Sequence, residues 1–208
     1  MAYKRFFILI IGFCLTQGGL VCAENATAKQ VVDQLQAGII SIDTRFGAGP
    51  GDANEFAARK AAFTPLIEST HDLAAMARLT IKAHWNKLTD EQRAEFISAF
   101  ADLSIATYSA RFRYLSDIRF RHRNERALPR DRAEVQTELV EADGTIVALN
   151  YLLHEAADGW RIINVLADGV SDLALKRTQY QRVLKTQDFA ALLRYIRQQR
   201  DDLLLGDN

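Results

Sequence analysis

The chain has 208 residues, 49% of them hydrophobic and 25% charged, a balance that suits one globular domain and excludes a low-complexity or disordered polypeptide. Its 26 Lys and Arg equal its 26 Asp and Glu, so no global basic field points to nucleic acid. The two cysteines, Cys14 and Cys22, both lie near the N-terminus, and the remainder must hold together by packing rather than by disulfides.

Lys4 and Arg5 begin a basic start, Phe6 to Leu15 form an apolar run too short to span a bilayer, and Val21-Cys22-Ala23 offers a small-residue cleavage site. This predicts a secretory signal peptide over 1–23 and a single domain over 24–208. A lipoprotein signal acylated at Cys22 is the competing reading, but Val21 stands where that signal wants a small residue.

From Thr27, the apolar positions Val31, Val32, Leu35, Ile39, Ile42 and Phe46 recur at helical spacing and stop before Gly47-Ala48-Gly49-Pro50-Gly51. Asp52 with Glu55 has the form of a capping pair opening a short helix to about Phe63, and Thr64-Pro65 reads as the start of another. Leu66, Leu73, Met76, Ala77 and Leu79 lead on to Trp85. Thr89 with Gln92 predicts a longer helix carrying Phe96, Phe100, Leu103 and Thr107 on one side.

Strands are expected from Asp117 to Arg123, Ala133 to Glu141, Thr145 to His154 and Trp160 to Leu166. A three-residue loop at Ala142-Asp143-Gly144, with the glycine at positive φ, pairs Leu139 with Val147, Thr137 with Leu149 and Val135 with Tyr151. The same rule at Ala157-Asp158-Gly159 pairs Leu153 with Ile163 and Tyr151 with Val165. One face is then apolar and the other, with Glu134, Gln136, Glu138, Asn150, His154 and Asn164, is mixed. A sheet apolar on one side must bury it under helices, so the fold class is α+β: a curved antiparallel sheet of about four strands under a helical layer. After a third triplet, Ala167-Asp168-Gly169, Ser171 caps a helix, and a last helix runs from about Asp188 toward Leu203 with an arginine-rich polar face.

Catalytic and metal-binding patterns do not surface. No G-x-S-x-G and no H-E-x-x-H occurs, and His71, His84, His122 and His154 lack ligand spacing. No cofactor or metal is expected. His71-Asp72 reads as a solvated helix turn. Arg111 to Arg132, RFRYLSDIRFRHRNERALPRDR, holds eight arginines, open to three readings: a solvated edge that blocks strand pairing, a surface for an acidic partner or anionic headgroups, and a nucleic-acid platform, which export disfavours.

The succession Met76-Ala77-Arg78-Leu79, Trp85, Leu88-Thr89-x-x-Gln92-x-x-x-Phe96-x-x-x-Phe100, Tyr151-x-Leu153, Gly159-Trp160-Arg161-Ile162, Val165 and Gly169-Val170-Ser171 resembles the MlaC, or toluene-tolerance, family of periplasmic phospholipid-binding proteins. Ala148 to Leu153 with Ala106 to Phe112 is closer to that family's hopanoid-associated branch. Asn164, Tyr180 and Thr80 depart from the usual family residues.

The resemblance implies a monomeric, non-catalytic periplasmic carrier of a phospholipid or hopanoid. Its partners would be an inner-membrane ABC transporter complex, an outer-membrane lipoprotein and, transiently, the membrane. The expected pocket has a floor of Leu139, Val147, Leu149, Tyr151, Leu153, Ile163 and Val165 and walls of Phe63, Leu66, Met76, Phe96, Phe100 and Phe112. Its volume should reach or pass the upper end of about 300–1,000 Å³. Arg111, Arg113, Arg119, Arg121 and Arg123 are the candidate docking residues. The alternative is an exported scaffold with a solid apolar interior, and a third reading, a hydrolase, would need paired acids at a cleft.

Overall fold

In the computed structural model, which describes residues 26–46, 53–113 and 117–204, seven helices cover one face of a five-stranded antiparallel sheet in the order β1-β2-β3-β4-β5. The helices before the sheet are α1 (Ala28–Phe46), α2 (Ala53–Thr70), α3 (Leu73–Thr80), α4 (Lys82–Trp85) and α5 (Asp90–Arg111). The strands are β1 (Arg119–Leu128), β2 (Arg132–Val140), β3 (Ile146–Ala156), β4 (Gly159–Ala167) and β5 (Val170–Ser171). Helices α6 (Asp172–Thr186) and α7 (Phe189–Leu204) follow. Residues 1–23 and the Asp52 cap lie outside the described residues. Among the described residues no helix is long and apolar enough to cross a membrane.

The helix starts follow from side chains that take up free N–H groups. Thr89 accepts from the Gln92 N–H while the Gln92 side chain accepts from the Thr89 N–H, a closed capping box. Ser171 caps α6 through the Ala174 N–H at 3.1 Å, and Asp72 caps α3 through the Ala75 N–H at 2.8 Å.

Thr64-Pro65 does not start a helix, as the sequence predicts, but lies inside α2. Pro65 removes only the bond to the carbonyl four residues back, on Ala61, and both residues are exposed, so water can take that carbonyl. Continuing the helix keeps Phe63 and Ile67 one turn apart, both fully buried.

The first hairpin has the expected register: Leu139 faces Val147, Thr137 faces Leu149, Val135 faces Tyr151, and Gly144 has φ +90°. The second differs. Its turn is two residues, Ala157 and Asp158, with Ala156 opposite Gly159, so Leu153 faces Ile162 instead of Ile163. A register shift beyond Leu153 makes Ile163 an extra residue and returns Val165 to Tyr151. The third triplet adds a strand: Asp168 and Gly169 have φ +49° and +79°, the two positive values of a tight hairpin turn, and Ala167 pairs with Val170 in β5.

The apolar sheet face is buried at Val135, Leu139, Leu149, Tyr151, Leu153 and Ile162, against Val32, Leu35 and Ile39 of α1 and Phe63 and Ile67 of α2. The α2–α3 junction is stitched to the sheet: the Asp72 N–H donates to the Ile162 carbonyl at 3.0 Å, and His154 Nε2 lies 2.9 Å from the Asp72 carboxylate. Along α5 and α7, Arg197 meets Glu95 at 2.6 Å and Arg200 meets Asp102 at 2.7 Å, with Lys60 on the same carboxylate.

Candidate functional site: an apolar cavity over the sheet

Between α2, α3, α5 and α6 and strands β2 to β5 lies a cavity of about 210 Å³. Leu139, Val147, Leu149, Tyr151 and Val165 form its floor. Ile67, Leu73, Met76 and Phe100 make apolar walls, with Phe112 at the end of α5. Val170 and Leu173 lie near the rim, and Val170 is 56% exposed. The volume is below the range expected from the sequence, because Met76, Phe100, Leu149 and Tyr151 reach into the space between sheet and helices.

Several expected pocket residues are placed elsewhere. Phe63, Phe96 and Leu153 are fully buried in solid core, Phe96 against Tyr180 and Phe189. Leu66 packs on the backbone of Gly38, where an added Cβ would lie 2.5 Å from Leu66 Cδ2. Ile163 is carried off the floor by the irregularity in β4, and Ile162 takes the buried position.

The polar lining is what the sequence reading missed. Ser104, Thr107, Tyr108 and Arg111 follow Phe100 at helical spacing, so they share its face of α5 and line the cavity with it. That spacing was legible, but hydroxyls do not mark an apolar pocket. Ser104 and Thr107 donate to the carbonyls of Phe100 and Leu103, at 2.8 and 2.7 Å.

His71, read from sequence as a solvated turn, is buried on the cavity wall. Its Nδ1 lies 2.9 Å from Thr70 Oγ1 and its Nε2 3.0 Å from the Tyr108 hydroxyl. Burial lowers its pKa to about 4, against a weaker opposing effect of the backbone hydrogen bond at Ile67, so the ring is neutral near pH 7. Burial also raises the Tyr108 hydroxyl well above its ordinary value and pushes Tyr151 up to about 12, the latter opposed by hydrogen bonds from Gln36 and Thr137.

At the rim Arg111, with 62% of its side chain exposed, reaches Asp172 at 3.4 Å, and Lys176 meets the same carboxylate at 2.5 Å. Arg113 follows the end of α5. Arg119, Arg121 and Arg123 stand apart on the edge strand β1, where Arg121 and Arg123 both pair with Glu138, at 3.0 and 2.7 Å. Among the described residues no three His, Cys, Asp or Glu side chains come together as a metal site.

The profile of the family described as MlaC protein matches residues 48–198. The chain belongs to the MlaC family. A phospholipid-binding protein from Ralstonia solanacearum, solved in complex with a phospholipid, is similar to this family member in fold, with a TM-score of 0.68 over 86% of this chain and 99% of its own at 19% identity. No curated protein matches the sequence.

Proposed function

We propose that this MlaC-family chain is a non-catalytic lipid carrier that hides hydrocarbon in the cavity above its sheet and holds the polar part of its cargo at the Arg111 rim. The observation that carries this reading is the cavity itself, apolar on its floor and on most of its walls, with a cationic side chain at its edge. The similar fold of a protein solved with a phospholipid supports the same class of ligand.

The physical need is large. At about 0.8 kcal/mol per methylene, a two-chain lipid with about thirty methylenes would cost roughly 24 kcal/mol to carry bare through water. Non-covalent burial hides that surface and still permits release. A cavity of about 210 Å³ is small beside two whole chains, so such a lipid would extend through its open side or push the helices over Leu139 and Leu149 outward.

The N-terminal signal pattern supports work in the periplasm, and family membership supports exchange with an inner-membrane ABC transporter complex and an outer-membrane lipoprotein. Phospholipid and hopanoid are both within the proposed cargo. Arg119 with Arg121 and Arg123, the latter two paired with Glu138, forms a second surface for an acidic partner.

The test is transfer between two vesicle populations. Catalytic amounts of the chain should speed movement of a labelled phospholipid from donor to acceptor vesicles, and a Leu149→Trp variant that keeps its fold should not. Equal transfer with and without the protein, for phospholipid and hopanoid alike, would refute the carrier.

A further inference from the structure

The hydrogen bonds around the cavity fix where its protons are. Thr70 Oγ1 donates its one proton to the Leu66 carbonyl at 2.7 Å, so it can only accept from His71 Nδ1. The neutral ring of His71 then carries its proton on Nδ1, and Nε2 is an acceptor. The Tyr108 hydroxyl must therefore donate to Nε2 across 3.0 Å, which uses its only proton.

Ser104 and Thr107 are in the same condition, their protons given to backbone carbonyls within α5. Every hydroxyl that α5 contributes to the lining thus keeps lone pairs and has no proton to offer. A phosphate, a carboxylate or an ester carbonyl brings only acceptors and gains nothing at this wall, and its natural place is outside, at Arg111.

We propose that the α5 wall is an acceptor station, centred on the Tyr108 oxygen, for an amphiphile that brings its own donor: a single hydrocarbon chain carrying a free hydroxyl or amine. A single chain also suits the 210 Å³ enclosed here. The proposal rests on the lipid-carrier reading and narrows it. A monoacyl lipid with a free glycerol hydroxyl, or a long-chain alcohol, satisfies the wall, and a diacyl ester buried to the same depth does not.

The experiment is calorimetric titration of the full chain with dodecanol, with fluorododecane of nearly the same shape, and with dodecane as the bare-chain control. The wild type should bind dodecanol roughly tenfold more tightly than fluorododecane, the worth of one good neutral hydrogen bond in a dry site. Tyr108→Phe, checked for folding by its melting curve, should lose that preference or reverse it, since the buried dodecanol hydroxyl then has no partner.

Equal binding of dodecanol and fluorododecane by the wild type would overturn the station while leaving the carrier reading intact. A Tyr108→Phe chain that keeps the full preference would overturn the assignment to Tyr108. Binding of none of the three would overturn the station, and the vesicle transfer assay with the same chain then decides the carrier reading separately. Should Tyr108→Phe not fold, the wild-type comparison still decides.

Discussion

His71 Nε2 and the Tyr108 hydroxyl meet at 3.0 Å on the cavity wall, a bond that ties the end of α2 to α5 around a histidine that burial keeps neutral. A buried neutral histidine makes stability depend on pH. The folded pKa, about 4, lies below the unfolded value of 6.5, so between the two the unfolded chain binds a proton that the folded chain refuses. Stability is therefore complete above about pH 6.5 and falls as pH drops toward 4, by on the order of 3 kcal/mol from this group. Urea midpoints measured across that window should decline in the wild type and decline clearly less in His71→Gln. Parallel curves would remove His71 as the cause.

Gly38 has room for no side chain while Leu66 is present, since a Cβ there would sit 2.5 and 2.6 Å from the two Leu66 methyl carbons. Gly38→Ala alone should lower stability by about 1 kcal/mol, overpacking exceeding the gain in helix propensity. In a Leu66→Ala background the same change should raise stability by about 0.5–1 kcal/mol. The reversal of sign is the readout, and additive effects would contradict the contact.

Tyr180 is fully buried, and its hydroxyl finds no hydrogen-bond partner among the described residues. Its ring packs edge-on against Phe96 and Tyr195. Tyr180→Phe keeps that packing and removes the unsatisfied oxygen, so denaturant unfolding should show stability unchanged or raised by about 1 kcal/mol. A loss of that size would mean the hydroxyl has a partner.

Arg59 of α2 is completely buried and ties its helix to two others, reaching Asp43 of α1 at 3.3 Å and the face of Phe46, also in α1, at 5.4 Å, and the Phe112 carbonyl past the end of α5 at 2.8 Å. Arg59→Leu leaves Asp43 buried without this cation and should cost about 3–5 kcal/mol. Arg59→Leu with Asp43→Leu should recover part of that loss in the same unfolding assay.

Much of this architecture was legible because it is written in local chemistry. Helical spacing placed α1 and α5, Thr89 and Gln92 announced their box, and Gly144 fixed the β2–β3 register that puts Leu139, Val147, Leu149 and Tyr151 on one face. What was not legible depends on contacts distant in sequence. Pro65 reads as a helix start until Phe63 and Ile67 are seen to need one continuous helix. Three similar triplets, Ala-Asp-Gly each time, make three different turns, because the strands beyond them decide how many residues enter the ladder. His71 looks solvated until β4 is laid beside it. The polar lining was hidden for the same reason: Tyr108 acquires its meaning only from His71, across 37 positions of sequence.

A lipid carrier built on this fold holds its cargo in the space above Leu139 and Leu149. The most direct measurement is native mass spectrometry of the full chain produced in a bacterial host and purified without detergent, set against the denatured spectrum. The expected result is about one releasable lipid per chain, absent from a folded Leu149→Trp variant. A bare wild-type chain that also takes up no lipid from vesicles would contradict it, and would make the apolar face ordinary core.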